Sequence, residues 1–283
     1  MRVLITGGGG QLGRDLQAAL GRHTVLSLSH AALDITDAKT VRHALEAFEP
    51  DVVIHTAALT DTTRCEREPS LAHAVNAIGA RNVAEACHHA GAAIAYVSTN
   101  EVFDGAKRTP YLETDAAHPM NAYGLSKLEG ELAVRDALAA HYVVRTSWLY
   151  GHAGNHFVSK VLRAAEAGSV TGVTDEIATP TWTRDLAGAL ARLIETGAFG
   201  VYHLTDAGEA SRYDWAREVL RLARKADVPL RPVTTAEFRA SLAPGAAAPA
   251  KPPYSVLANT AGAALGIELQ PWREALAEFF ATA

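Results

Sequence analysis

The chain has 283 residues, of which 48% are hydrophobic and 20% are charged. This length suits one large or two modest globular domains, and the mean hydropathy of +0.02 is ordinary for a globular protein without a membrane span. The net charge is −5 and no run of Lys and Arg stands out, so the chain lacks the basic surface that is typical of nucleic-acid-binding proteins. Cys65 and Cys87 are too few for a disulfide framework and lack partners for a metal site, so we expect both to be reduced thiols. We also expect no bound metal and a cytoplasmic protein.

The first predicted element is a strand over residues 1–6 that leads into a glycine-rich turn. Gly7, Gly10 and Gly13 are spaced three apart, and a helical pattern follows them. Glycines let the backbone turn tightly and approach a pyrophosphate, whose charge is met by the free N–H groups at the start of the helix. This order of strand, turn and helix predicts a dinucleotide site.

Short apolar runs alternate with helical stretches along most of the chain. Buried runs of this kind are typical of parallel strands, and the alternation predicts an α/β fold: a Rossmann-type doubly wound parallel sheet with helices on both faces. Further strands are predicted at 25–28, 52–55, 93–97, 142–145 and 200–204. Helical patterns cover 71–90, 123–138, 184–194 and 215–226, the last with Ser211 as a candidate N-cap.

The regularity weakens after residue 150, which predicts a smaller, discontinuous C-terminal substrate-binding domain. We assign residues 1–150 and 183–205 to the dinucleotide-binding domain and residues 151–182 and 206–283 to the substrate-binding domain. Residues 243–253 are rich in Ala and Pro and show no periodicity. They are expected to form a loop over the site, with a flexible linker as the alternative.

Three polar side chains supply the groups that the reduction of a carbonyl needs. Thr99 follows a predicted strand, at the edge of the sheet where ligands collect, and can donate a hydrogen bond to a carbonyl oxygen. Tyr123 and Lys127 are spaced i,i+4 and therefore share one helix face. We expect the lysine cation to lower the pKa of the tyrosine from about 10 and so make it a proton donor to an alkoxide. The same spacing also occurs on ordinary amphipathic helices, and the glycine turn decides between these interpretations.

Several motifs, in this order, resemble the extended short-chain dehydrogenase/reductase family, and more closely the dTDP-4-dehydrorhamnose reductases. They lie at 6–13 (TGGGGQLG), 33–37 (LDITD), 98–105 (STNEVFDG), 119–127 (PMNAYGLSK), 145–150 (RTSWLY) and 154–157 (GNHF). The resemblance implies that Thr99, Tyr123 and Lys127 are catalytic. The implied reaction is NAD(P)H-dependent reduction of the C4 ketone of a 4-keto-6-deoxy sugar nucleotide, foremost dTDP-4-dehydro-L-rhamnose to dTDP-L-rhamnose. It also implies a possible homodimer.

The resemblance and the glycine turn together give a set of binding residues. The predicted cofactor-binding residues are Gly7, Gly10, Gln11, Leu12, Gly13, Asp34, Ile35, Ala57, Ala58, Tyr123 and Lys127. The predicted substrate-binding residues are Asn100, Glu101, Trp148, Asn155 and Lys251. NADPH is favoured over NADH, which stays possible, because Leu28-Ser29-His30 offers no acidic residue to a ribose 2′-hydroxyl. Arg14 or His30 could meet a 2′-phosphate.

The chain departs from the rhamnose reductases on the substrate side. Asn100 and Glu101 replace an Asp-Tyr pair, residues 175–181 (DEIATPT) replace Asp-Gln-x-Gly-x-Pro-Thr, and Lys251 replaces an arginine near the pyrophosphate. Glu101 is interpreted as a contact to a substrate hydroxyl or as a member of a buried ion pair. Because related 4,6-dehydratases carry Thr-Asp-Glu here, a dehydratase or epimerase with Glu101 as base is the enzymatic alternative. A non-catalytic NADP-binding regulatory subunit is another alternative.

Overall fold

The computed structural model describes residues 1–243 and 248–282. The strands are β1 (Arg2–Thr6), β2 (Thr24–Leu28), β3 (Val52–His55), β4 (Ala93–Thr99), β5 (His141–Thr146), β6 (Leu149–Tyr150), β7 (Val170–Val173), β8 (Ile177–Ala178), β9 (Thr181–Trp182), β10 (Gly200–His203), β11 (Ala210–Ser211) and β12 (Leu230–Val233). The helices are α1 (Gln11–Ala19), α2 (Ala38–Phe48), α3 (Thr62–Arg67), α4 (Pro69–His73), α5 (Gly79–Ala90), α6 (Ala122–Ala137), α7 (Phe157–Glu166), α8 (Thr183–Leu193), α9 (Arg212–Leu222), α10 (Thr235–Ala240), α11 (Thr260–Ala264) and α12 (Trp272–Ala281). A π-helical turn (Ala74–Ile78) joins α4 to α5, and a 3-10 turn (Asn100–Val102) follows β4.

Six parallel strands form the central sheet in the order β2-β1-β3-β4-β5-β10. The strand order reverses between β1 and β3, because the chain runs from β1 outward to β2 and returns on the other side with β3. In open α/β sheets ligands bind at such a reversal, beyond the carboxyl ends of the strands. The predicted fold class is confirmed, and the predicted strand at 200–204 is the edge strand β10.

Apolar layers cover both faces of this sheet. Val3 and Ile5 of β1 pack in one core with Leu16 of α1, whereas Leu4 packs in a second core with Val83 of α5. Successive residues of a strand point to opposite faces, so a strand with a core on each side must be apolar throughout. This is why the sheet was visible in the sequence as uninterrupted apolar runs.

The C-terminal elements have an apolar core of their own. It is built around Trp182, Trp215 and Trp272, which are all almost fully buried, and it joins α7, α9 and α12. Ile267, by contrast, packs on the sheet core beside α8. The division of the chain into two domains with a boundary at residue 206 therefore stays a prediction. No helix in the described ranges is long and apolar enough to cross a bilayer.

One predicted helix differs from the observed one by several residues at its ends. The helix predicted at 215–226 is α9, which begins at Arg212 and ends at Leu222, so both predicted ends were wrong. Ser211 sets the start, because its side chain accepts a hydrogen bond from Asp214 N at 3.0 Å. Arg224 has a left-handed φ of 56°, which stops the helix although the local sequence favours its continuation.

A buried carboxyl group and a half-buried one lie close together where the chain leaves β10. Asp206 Oδ2 accepts a hydrogen bond from Trp182 N at 3.0 Å, and Asp185 Oδ2 accepts one from Gln270 Nε2 at 2.9 Å. Burial, followed by the charge of Asp185, raises the pKa of Asp206 to about 9. Asp206 is therefore protonated at neutral pH, because removal from water and the nearby Asp185 carboxylate both disfavour its charged form.

We expect Asp206→Asn to stabilise the protein above neutral pH. Because the folded-state pKa lies above the ordinary value of 3.8, the associated stability is present at low pH and is lost as pH rises toward about 9. An amide keeps an acceptor for Trp182 N but does not titrate. In thermal melts between pH 6 and 9, the wild-type Tm should fall relative to that of the variant, by about 2–4 °C for each kcal/mol of stability that the wild type loses. If the Tm values of the two proteins changed with pH in parallel, Asp206 would not be the protonated group assigned here.

Candidate active site

A cavity of about 1080 Å³ opens at the carboxyl ends of the strands, where the strand order reverses. Its wall contains every predicted binding and catalytic residue: Gly7, Gly10, Gln11, Leu12, Gly13, Asp34, Ile35, Ala57, Ala58, Thr99, Asn100, Glu101, Tyr123, Lys127, Trp148, Asn155 and Lys251. Residues up to 244 positions apart in the chain, Gly7 and Lys251, thus line one cavity, although their individual roles stay predictions.

The glycine turn at one end of the cavity fits a pyrophosphate. Gly7 has a φ of 73°, and its carbonyl accepts a hydrogen bond from Gly10 N at 2.9 Å. A Cβ on Gly13 would lie 2.5 Å from Gly7 O, so only glycine allows α1 to approach the turn this closely. Gly10, which precedes α1, provides no side-chain cap. The first N–H groups of the helix are therefore available to an anion.

The next part of the wall suits an adenosine. The Asp34 carboxylate accepts hydrogen bonds from Thr36 Oγ1 at 2.7 Å and Thr36 N at 2.9 Å, which hold the pKa of Asp34 below its ordinary value. Ile35 is buried against α5, where a Cβ on Gly79 would lie 2.7 Å from its Cδ1. His30 lines the cavity at the end of β2, whereas Arg14 lies on the exposed side of α1 and donates from Nε to Gly9 O.

Thr99, Tyr123 and Lys127 line the same cavity. Thr99 ends β4, and Tyr123 and Lys127 lie one turn apart on α6. The first turn of α6 packs directly on the turn after β4, since a Cβ on Gly124 would lie 2.1 Å from Glu101 O. This packing brings the Tyr123 phenol close enough to the Thr99 side chain for Thr99 to act on the pKa of the phenol.

The expectation that Lys127 lowers the pKa of Tyr123 is wrong in this structure. Burial, followed by the negative charge of Glu101, raises the pKa of Tyr123, and the Thr99 side chain offsets this only in part. Burial also lowers the pKa of Lys127 to about 7, so its cationic field near neutral pH is incomplete. Tyr123 is consequently a neutral phenol, which is the form that donates a proton.

A buried ion pair fixes α6 relative to the strands. Glu131, one turn beyond Lys127, is fully buried and accepts a hydrogen bond from Arg145 Nη2 at 2.7 Å and another from the Ser98 hydroxyl. Because Ser98 immediately precedes Thr99, these bonds tie the helix that carries Tyr123 and Lys127 to the strand that carries Thr99. They hold the three predicted catalytic groups in one arrangement.

An aromatic wall with a guanidinium group forms another part of the cavity lining. The Trp148 ring stacks on Trp215 with 5.6 Å between centroids, and the Arg212 guanidinium lies 3.6 Å from the Trp148 centroid. Burial lowers the pKa of Arg212 to about 10, so it is charged at neutral pH. Sequence analysis missed Arg212, Trp215 and Phe157. Phe157 could have been found in the 154–157 motif, but no spacing signal pointed to Arg212.

The turn after β4 is bound to a C-terminal segment. Lys251 Nζ lies 2.6 Å from Glu101 Oε1, which confirms the ion-pair interpretation of Glu101. Asn100 Nδ2 donates to Ser255 Oγ at 2.7 Å, and Asn121 Nδ2 donates to Ala250 O at 2.7 Å. Of the loop predicted at 243–253, the part that includes Lys251 reaches the cavity, and residues 244–247 lie outside the described residues.

The family described as RmlD substrate binding domain matches residues 1–283. The chain belongs to the RmlD family. It is 42% identical to a dTDP-4-dehydrorhamnose reductase of Mycolicibacterium smegmatis over 97% of this chain and 84% of that one. It is 38% identical to a dTDP-4-keto-6-deoxy-D-glucose reductase of Streptomyces niveus over 99% and 96% of the two chains.

A solved structure agrees with the membership of the RmlD family. The crystal structure of dTDP-4-dehydrorhamnose reductase from Bacillus anthracis in complex with NADP superposes with a TM-score of 0.94. That protein is 37% identical, and the match covers 100% of this chain and 99% of the other. Across its described residues, this RmlD-family chain therefore shares the fold of that reductase.

Proposed function

We propose that this chain uses NADPH to reduce the C4 ketone of a dTDP-4-keto-6-deoxy sugar, foremost dTDP-4-dehydro-L-rhamnose. The observation that carries the proposal is the meeting of Thr99, Tyr123 and Lys127 with a glycine turn in one cavity. Relatives that match nearly the whole chain are named as reductases of dTDP-4-keto sugars, and one of them was solved with NADP.

The cavity supplies each part of NADPH with a matching surface. The glycine turn and the start of α1 would hold the pyrophosphate, Asp34 and Ile35 would hold the adenosine, and Lys127 would hold the nicotinamide ribose. The end of β2 presents Ser29 and His30 and no acidic residue, which suits a 2′-phosphate. When bound, NADPH supplies the hydride that the ketone accepts.

The chain's own side chains handle the oxygen and the proton. Thr99 donates a hydrogen bond to the ketone oxygen, and Tyr123 gives its phenolic proton to that oxygen as negative charge develops there. The Lys127 ammonium, one turn away, then stabilises the phenolate. The neutral state of Tyr123 described above is the state that this direction of proton transfer requires.

Positive charge and aromatic surface suit the nucleotide half of the substrate. Arg212 and Lys251 line the cavity and offer cations to a diphosphate, and Trp148 and Asn155 of the same wall would contact the rest of the substrate. We retain, as part of the proposal, residues 151–182 and 206–283 as the substrate-binding domain. The predicted homodimer also stays a prediction, which the mass in solution would test.

The contacts of the turn after β4 argue against the dehydratase alternative. The Asn100 amide has no acidic form and already donates to Ser255, so it cannot protonate a leaving hydroxyl. The Glu101 carboxylate, the base of that alternative, accepts hydrogen bonds from two side chains. The regulatory-subunit alternative is weakened because the predicted catalytic set is intact within the cavity.

We expect purified protein to oxidise NADPH when dTDP-4-dehydro-L-rhamnose is added, and to oxidise NADH more slowly. The loss of NADPH absorbance should match the amount of dTDP-L-rhamnose recovered by chromatography. A mixture without sugar nucleotide is the control. Binding of both ligands without any oxidation would contradict the proposed function and favour the regulatory subunit.

A further inference from the structure

Glu101 lies within the cavity at a fixed position relative to Thr99. It is two residues beyond Thr99 on the 3-10 turn, and its backbone N–H donates to Thr99 Oγ1 at 3.2 Å. The residue is 9% exposed and forms part of the cavity wall. A ligand group held by Thr99 therefore lies in the cavity that Glu101 also lines.

The Glu101 carboxylate is held by two side chains but can accept further hydrogen bonds. Lys251 Nζ lies 2.6 Å from Oε1, and Asn121 Nδ2 donates to Oε2 at 2.8 Å. Asn121 is itself fixed as the N-cap of α6, since its Oδ1 accepts a hydrogen bond from Gly124 N at 2.8 Å. A carboxylate offers about four lone-pair positions, and these donors occupy two of them. Within the described part of the chain, the rest are left to a group in the cavity.

Glu101 shares the cavity wall with the predicted proton donor and with part of the aromatic wall, since Tyr123, Trp148 and Arg212 line the same cavity. Its negative charge raises the pKa of the Tyr123 phenol and also acts to raise that of the Arg212 guanidinium. A sugar whose ketone oxygen reaches Thr99 and Tyr123 would place a neighbouring ring carbon beside Glu101.

We propose that Glu101 determines specificity by accepting a hydrogen bond from a hydroxyl on the ring carbon next to the ketone. This inference rests on the proposed function. An ionised carboxylate only accepts hydrogen bonds, so it favours a hydroxyl and disfavours a hydrogen or a methyl at that carbon. A site built to bond a hydroxyl discriminates strongly against an analogue without it, because a buried polar group then loses its partner.

The test compares two dTDP-4-keto-6-deoxyhexoses that differ only in the C3 hydroxyl. We expect wild-type kcat/KM to favour the hydroxylated sugar by about 100-fold or more. Glu101→Gln should lower this ratio at least tenfold, mainly by slowing the hydroxylated sugar. Lys251→Met is the matched control, because it breaks the same ion pair but keeps the carboxylate. It should weaken both substrates equally and leave their ratio unchanged.

Binding distinguishes failure of this inference from failure of the proposed function. The Kd values of the two corresponding dTDP-6-deoxyhexoses are measured by calorimetry with NADP⁺ present, which needs no turnover. A Kd ratio that favours the hydroxylated sugar and falls in Glu101→Gln supports the inference, even if neither ketone is reduced. Equal Kd values in the wild type, an unchanged ratio in Glu101→Gln, or an equal loss of ratio in Lys251→Met would overturn it.

Discussion

Replacing Tyr123 with Phe is expected to lower kcat by about 10²–10⁴-fold, the usual contribution of a positioned general acid. The substitution removes the phenolic proton but keeps the half-buried ring in its place on α6. Thr99 still donates to the ketone oxygen, but no side chain delivers a proton as charge develops there. NADPH affinity should change little, because the glycine turn and Lys127 are untouched.

The measurement is a single-turnover reduction with NADPH and dTDP-4-dehydro-L-rhamnose, together with a titration of NADPH binding. Tyr213→Phe is the matched control, since Tyr213 lies on α9 and is not part of the cavity wall. The control should keep the wild-type rate. A Tyr123→Phe enzyme that retained more than a tenth of that rate would remove Tyr123 from its catalytic role.

Replacing Gly13 with Ala is expected to weaken NADPH binding by about 100-fold or more, which corresponds to about 2.8 kcal/mol. The added Cβ would lie 2.5 Å from Gly7 O and 2.7 Å from Gly8 Cα, and both are backbone atoms that cannot rotate away. Either α1 or the turn must move. The free N–H groups at the start of the helix would then lose their alignment with the pyrophosphate.

Gly188→Ala provides the control for this change. Gly188 lies within α8, and a Cβ there would meet no heavy atom within 4 Å, so the same substitution should be tolerated or slightly stabilising. NADPH binding is measured by calorimetry and folding by thermal melting. If Gly13→Ala bound NADPH as tightly as Gly188→Ala, the glycine turn would not be the pyrophosphate site.

Features that depend on local sequence were predictable. The residues of β1 and β3 had to be apolar because the parallel sheet buries both faces, and this pattern alone indicated the fold. Gly7 and Gly13 were identifiable because the turn requires a left-handed φ at one and a missing side chain at the other. Thr99 was identifiable because it follows a strand whose end lies at the ligand edge.

Features that depend on distant contacts were not predictable. The pKa of Tyr123 is set by burial and by Glu101, and neither follows from the i,i+4 spacing to Lys127. Lys251 and Glu101 are 150 positions apart, so the local sequence around either residue does not predict their ion pair. Arg212 reaches the cavity only because α9 packs against the wall that contains Trp148, which is a property of the tertiary structure.

The most direct test of the proposed reaction uses NADPH labelled with deuterium on the transferring position of the nicotinamide. The protein is incubated with this cofactor and dTDP-4-dehydro-L-rhamnose, and the sugar product is analysed by proton NMR and mass spectrometry. The account predicts one deuterium per product molecule, bound to C4 of the hexose. An unlabelled product, or deuterium at any other carbon of the sugar, would contradict it.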